Sequence, residues 1–216
     1  MNQLEIKDRC TYNLRQFTTD ALSSLPKLSS PCVLDAGCGT GIPSIAIAET
    51  IHCCRITAID IDNNSIALFR KKITGKQYES MVDISCVDIF SIDYPEHSFD
   101  VILAEGLLNI TGFKKGLSFL SSFLKRDGYF LIHDEFAGFD EKTYIIASEG
   151  YSIVSTRTIH EHEWKRLYVD CLESYIHKHE GGNKNSENLT ELTNEIALYY
   201  RDPSLFRSMY YILQKG

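Results

Sequence analysis

The stretch CVLDAGCGTGIPSIAIAE, residues 32–49, decides the fold. CVLDA is apolar apart from Asp35, as suits a strand covered on both faces. Glycines follow at positions 37, 39 and 41, and Pro43 with Ile45, Ile47 and Ala48 then opens a helix able to pack on a sheet. A strand turning tightly into a helix uses positive φ, which glycine adopts without strain, and a backbone bare of side chains lets a ligand approach closely. The turn reads as a ligand cradle.

Its spacing bears on the ligand. A dinucleotide fingerprint sets glycines at i, i+2 and i+5 over a helix N-terminus that holds a pyrophosphate. Here they fall at i, i+2 and i+4, position 42 is Ile, and Asp35 stands two residues ahead of Gly37. A carboxylate there opposes a pyrophosphate and suits a ligand bearing an ammonium and a sulfonium group. Asp60, 19 residues beyond Gly41, is placed to accept both hydroxyls of a ribose, and Asp88 to accept from an exocyclic adenine amine. The plain alternatives are a helix cap for Asp60 and a solvated loop carboxylate for Asp88; Asp62 is the better cap.

Outward from this turn, short apolar runs alternate with amphipathic ones. RITAID (55–60), DISCV (83–87), FDVILA (99–104) and GYFLIHDE (128–135) read as strands, IALFRKKI (66–73) and KKGLSFLSSFLK (114–125) as helices. The rhythm predicts an α/β, doubly wound, mostly parallel sheet with right-handed crossovers. Four segments of one domain follow: a helical cap at 1–30, a core at 31–160, a helical insertion at 161–203 and a final strand at 204–214. Within the insertion the apolar positions of EHEWKRLYVDCLESYIHKHE (161–180) recur at helical spacing up to Gly181 and Gly182, the polar run NKNSEN follows, and a second helix spans about 189–201.

Composition narrows the function. The 216 residues suit one large domain, and 44% apolar with 24% charged residues is ordinary for a globular chain. Twenty-two Lys and Arg against 29 Asp and Glu leave −7, so nucleic acid is not the expected partner. The polar MNQLEIKDRC is not a signal peptide and no run reaches the ~18 apolar residues of a membrane span, so a cytoplasmic protein is expected with no membrane partner. Seven cysteines without a Cys-x-x-Cys pair read as small buried hydrophobes in a reducing compartment, not a disulfide framework. Oligomeric state is not readable from these features.

DAGCGTG, the acid of ITAID, the acid of CVDIF, FDVILAEG and LKRDGYFLIHDE, in this order and spacing, resemble the class I S-adenosylmethionine-dependent methyltransferases of small-molecule type. The resemblance spans residues 30–214. It implies a Rossmann-like seven-stranded sheet in the order 3-2-1-4-5-7-6 with the seventh strand antiparallel. It implies S-adenosylmethionine as cofactor: Asp35, Gly37, Gly39 and Gly41 around its methionine part, Asp60 at the ribose, Asp88 with Ile89 at the adenine, and Ile61 and Ala104 as further cofactor-binding residues.

Ligands of open α/β sheets bind beyond the carboxyl ends of the strands. The fourth strand ends there in AEGLLNITGF, where Glu105 and Asn109 could share the cleft; the fifth ends in His133, Asp134 and Glu135, of which His133 and Glu135 share a face. Glu105, His133 and Asn109 are the candidate catalytic groups, with Glu105 or His133 as base. No Asp-Pro-Pro-Tyr-like motif of nucleic-acid amino methylation is present, which favours a small-molecule acceptor, aromatic or cationic. Tyr12, Trp164 and Tyr168 are candidate acceptor contacts on a lid formed by the cap, with Arg15 and Phe17, and by the insertion; for the aromatics, core packing is the plainer role. His160, His162, His177 and His179 bracket the first inserted helix, but i, i+2 pairs diverge on a helix and no metal site is expected. Two rival readings are a non-catalytic cofactor-binding partner subunit and an NAD-dependent oxidoreductase. The latter would need Tyr-x-x-x-Lys on a helix, and Tyr211 and Lys215 fall on the last strand.

Overall fold

The computed structural model describes residues 1–51, 53–180 and 189–216. Seven strands form one sheet in the order β3-β2-β1-β4-β5-β7-β6: β1 Cys32–Ala36, β2 Arg55–Asp60, β3 Val82–Cys86, β4 Phe99–Glu105, β5 Leu124–Glu135, β6 Tyr151–Ile159 and β7 Ser208–Lys215. β1 to β5 pair in parallel, and β7 runs antiparallel between β5 and β6. This is the order the resemblance implied.

Strand alternation divides the core. Val33, Leu103, Leu131, Tyr210 and Ile212 face one layer, while Leu34, Ile102, Phe130, Tyr211 and Leu213 face the other. The first layer holds the cap helices α1 Gln3–Thr11 and α2 Arg15–Ser23, with α3 Ile42–Thr50 and α4 Asn63–Ile73. α5 Leu108–Thr111, α6 Phe113–Ser121 and α7 Phe139–Ser148 follow, the last two covering the second layer. The insertion comprises α8 Glu161–Trp164, a π-helical turn Lys165–Val169, α9 Asp170–Glu180 and α10 Thr190–Arg201.

Three readings needed correction. The helix expected over 114–125 stops at Ser121, because Leu124 already pairs with Phe99 and begins β5. The last strand begins at Ser208, after a 3-10 turn over Pro203–Phe206. Cys10 of α1 and Cys171 of α9, expected as free thiols, are joined in a disulfide across 161 residues, while Cys32, Cys38, Cys53, Cys54 and Cys86 are free. Neither spacing nor parity reveals a pairing made by two helices packed far apart in sequence. Gly181, Gly182 and the NKNSEN run lie outside the described residues.

Cap and insertion also meet through Asn13 Nδ2 donating to the Leu167 carbonyl at 2.9 Å and the Lys7–Glu195 ion pair at 2.9 Å, the latter reaching α10. Cap and insertion thus form one lid beside the carboxyl ends of β4, β5 and the start of β7. No helix among the described residues is long and apolar enough to cross a membrane.

Candidate functional site

Gly37, Gly39 and Gly41 have φ of +71°, +51° and +81°. Their reasons differ. A Cβ on Gly41 would stand 2.0 Å from the Phe69 ring, so that glycine lets α4 pack against the turn and leaves the ligand out of the account. At Gly39 a Cβ meets nothing within 4 Å, so a side chain there has room.

Asp60 ties the turn to β2. Its Oδ2 accepts from the Gly39 amide at 2.7 Å and its Oδ1 from the Asp62 amide at 2.8 Å, so it braces the loop while retaining lone pairs for a ligand. Asp62 is the N-cap of α4, accepting from Asn64 and Ser65. Asp88 accepts from the Phe90 amide at 2.8 Å. A cavity of about 430 Å³ is lined by Gly37, Asp60, Ile61, Asp88, Ile89 and Gly106. Ile61 and Ile110 on its wall are 69% and 78% exposed, apolar surface suited to the face of a ring. Phe90, Leu107, Thr111 and Lys115 complete it, and only their position just beyond β3 and β4 could have announced them.

Asp35 is fully buried in β1. Ser44 Oγ donates to its Oδ2 at 2.5 Å, and its Oδ1 has no partner among the described residues. Burial pushes this carboxyl up, the Ser44 bond offsets part of that, and the charges of Glu105 and Asp60 add to it, leaving a pKa of about 7. A buried carboxyl with an unmet oxygen, an open glycine turn and an exposed apolar wall fit a cationic nucleoside. Asp35, Gly39, Gly41 and Ala104, all expected at the cofactor, do not border this cavity: Asp35, Gly41 and Ala104 are buried within strand and turn, and Gly39 lies beside it in the glycine turn.

A second cavity of about 370 Å³ shares Gly106 with the first. Its floor is a row across three strands: Glu105 stands beside His133, and His133 beside Tyr210. Glu105 Oε1 accepts from Thr18 Oγ1 of α2 at 2.7 Å and from the Tyr210 hydroxyl, and its Oε2 lies 3.9 Å from His133 Nδ1. Burial pushes the Glu105 carboxyl up, but His133, by hydrogen bonding and charge, together with the Tyr210 and Thr18 hydroxyls outweighs it and holds the group below its usual value. Burial and the neighbouring Glu105 push Tyr210 far up, so it stays a donor. His133 Nε2 meets Ser208 Oγ at 2.8 Å, which also accepts from Trp164 Nε1 at 3.0 Å. The imidazole lies between Tyr210 and Trp164, near-parallel to both.

Glu105, Asn109, His133 and Trp164 therefore reach one cavity. Asp134 and Glu135 also border this cavity, the Asp134 carboxylate lying 3.4 Å from Lys142 Nζ. Tyr12 and Tyr168 do not line the cavity: Tyr12 is exposed beneath the Arg15 guanidinium, and Tyr168 is buried behind Trp164 with its hydroxyl on Glu195. Thr18, Phe206, Ser208 and Tyr210 were not anticipated; alternation along β7, which puts Ser208 and Tyr210 on one face, was the available signal. His160 and His162 stack on each other, the His179 side chain lies outside the description, and no group of three or more possible metal ligands occurs among the described residues. Tyr211 and Lys215 are separated, the lysine binding the Ser121 carbonyl at 2.6 Å.

Residues 33–128 match a family model described as a methyltransferase domain. The ubiquinone/menaquinone biosynthesis C-methyltransferase of Geobacter sulfurreducens is 32% identical over 98 residues, 44% of this chain and 38% of that protein. The chain thus spans well under two thirds of that relative. Among solved structures, the cyclase SpnF superposes with a TM-score of 0.77 at 18% identity, covering 94% of this chain and 81% of the other. Haemonchus contortus phosphoethanolamine N-methyltransferase 2, solved with S-adenosyl-L-methionine, gives 0.76 at 14% identity, covering 99% and 56%. At such identities the structural likeness establishes the fold.

Proposed function

We propose that the chain, whose residues 33–128 match a methyltransferase domain, is a class I S-adenosylmethionine-dependent methyltransferase that transfers the methyl group of that cofactor to a small-molecule acceptor held under the lid. The observation that carries this reading is the meeting of the two cavities at Gly106, one walled by Asp60 and Asp88, the other by Glu105 and His133.

The cofactor, when bound, supplies a methyl already activated by its sulfonium. What the chain must add is alignment and the exclusion of water, worth up to about 7–11 kcal/mol in well-oriented systems. Asp60 and Asp88 are assigned to the ribose and adenine, and Asp35 to the positive charge. Gly106, φ +64°, carries the backbone between the two pockets. Thr18 and Tyr210 orient Glu105 toward the acceptor. Both ring nitrogens of His133 face groups of the protein, which makes it a positioning residue for Glu105 and disfavours it as the base.

Calorimetric titration with S-adenosylmethionine, S-adenosylhomocysteine and NAD tests the cofactor. Binding of NAD alone would overturn the reading. Labelled methyl carried from the donor into a small-molecule extract tests the transfer, and binding without any transfer would favour a non-catalytic partner subunit.

The glycine turn supplies a paired prediction. Gly41→Ala drives a methyl into Phe69 at positive φ and should cost about 3 kcal/mol of stability. Gly39→Ala, with room for its methyl, should cost about 1 kcal/mol but weaken cofactor binding at least tenfold. Thermal melts and titration of the two variants, side by side, check the separation.

A further inference from the structure

We infer that the acceptor is an amine, with the Glu105 carboxylate as the counter-ion of its nitrogen. This rests on the methyl-transfer reading above and names the substrate class of that site.

The argument is one of unmatched charge. Buried charges are expected to be paired, and almost every charge lining the acceptor cavity is. Arg15 meets Glu49 at 3.1 Å, Arg207 meets Glu161 at 2.6 Å, Asp134 and Glu135 meet Lys142 at 3.4 and 4.0 Å, and Glu195 meets Lys7 at 2.9 Å. Glu105 has only His133 to pair with, 3.9 Å away and a cation only when protonated. Its neighbours among the described residues are the hydroxyls of Thr18 and Tyr210 and the imidazole of His133, with no lysine or arginine within 4 Å. Its side chain is only 19% exposed.

The strand leading into the glycine turn sharpens the imbalance. Asp35 is a second buried carboxyl without a cationic neighbour among the described residues, so a ligand carrying one net positive charge satisfies one of the two acids and leaves the other. Phe17, Trp164, Phe206 and Tyr210 line the acceptor cavity around Glu105, a surface that attracts a cation through ring faces and accepts alkyl groups on nitrogen.

The chemistry balances without a strong base. The neutral amine's lone pair forms the C–N bond as the C–S bond breaks, its electron pair passing to sulfur. Positive charge moves from sulfur to nitrogen, where Glu105 stabilises it as it develops. An amine that arrives protonated first gives its proton to solvent, and the ammonium product of a primary or secondary amine releases one afterwards in the same way. A hydroxyl acceptor would instead need a base, and a carboxyl held below its usual value is a poor one.

The test uses two probes of one shape. Choline and its carbon isostere 3,3-dimethylbutan-1-ol differ in charge alone, and ligand-observed NMR on protein saturated with S-adenosylhomocysteine reads their binding. Choline should bind at least tenfold tighter than the alcohol to the native chain, and Glu105→Gln should abolish the difference while leaving S-adenosylhomocysteine affinity within twofold. Equal binding of the two probes, or no binding of choline, overturns the inference. So does a parallel loss of S-adenosylhomocysteine affinity in the variant, which would assign Glu105 to the cofactor. Those results leave the methyltransferase reading standing, whereas failure of S-adenosylhomocysteine to bind the native chain removes that reading itself.

Discussion

Affinity for S-adenosylmethionine should rise about 25-fold from about pH 5.5 to 7.5, and Asp35→Asn should flatten the rise. The buried Asp35 carboxyl, with a pKa of about 7, is largely protonated at the lower pH and largely ionised at the higher. A cationic ligand prefers the anion, so below pH 7 it binds only by expelling a proton. At pH 7 roughly half a proton should leave per molecule bound, visible as a calorimetric enthalpy that varies with the buffer.

Stability moves the other way. The folded pKa lies above the unfolded value of 3.8, so the empty protein loses stability as pH rises from about 4 to 7 and the loss levels off above 7. The span is about 4 kcal/mol for a shift of this size. Asp35→Asn removes the penalty, so the variant should melt higher than the native chain at pH 8 while binding the cofactor more weakly. Native binding that does not change with pH would eliminate Asp35 from the site.

Reducing the Cys10–Cys171 disulfide should cost about 3–5 kcal/mol, because the bond closes a loop of 161 residues and withdraws many conformations from the unfolded chain. For a chain of this size that is a fall of about 10 °C in melting temperature. The effect should localise. Cys10 lies on the cap and Cys171 on the insertion, so amides of α1 and α9 should exchange faster in reductant while those of β1 and β4 keep their protection. Cys171→Ser should match the reduced native chain and should not respond to reductant. Superimposable melts with and without reductant, or alkylation of both thiols in unreduced denatured protein, would show that the bond does not form.

How far the sequence could be read follows from the range of the interactions involved. CVLDAGCGTG announced a strand, a positive-φ turn and a helix because each depends on residues within a few positions of one another. The same locality made Asp62 legible as a cap. The helix expected across 114–125 failed because Leu124 belongs to a strand partner 25 residues away, which outweighed its helical spacing. Gly41 was given a reason in the ligand when its reason is Phe69, a contact invisible to any local window.

What the chain determined by itself is the doubly wound core and its row of strand-end acids, since periodicity and turn chemistry act over one or two turns of chain. Only tertiary structure decided that Glu105, His133 and Tyr210 form one row, that Thr18 of the cap closes on it, and that Cys10 finds Cys171. Those contacts join segments tens to more than a hundred residues apart, and their pairing is chosen by which strands and helices pack side by side.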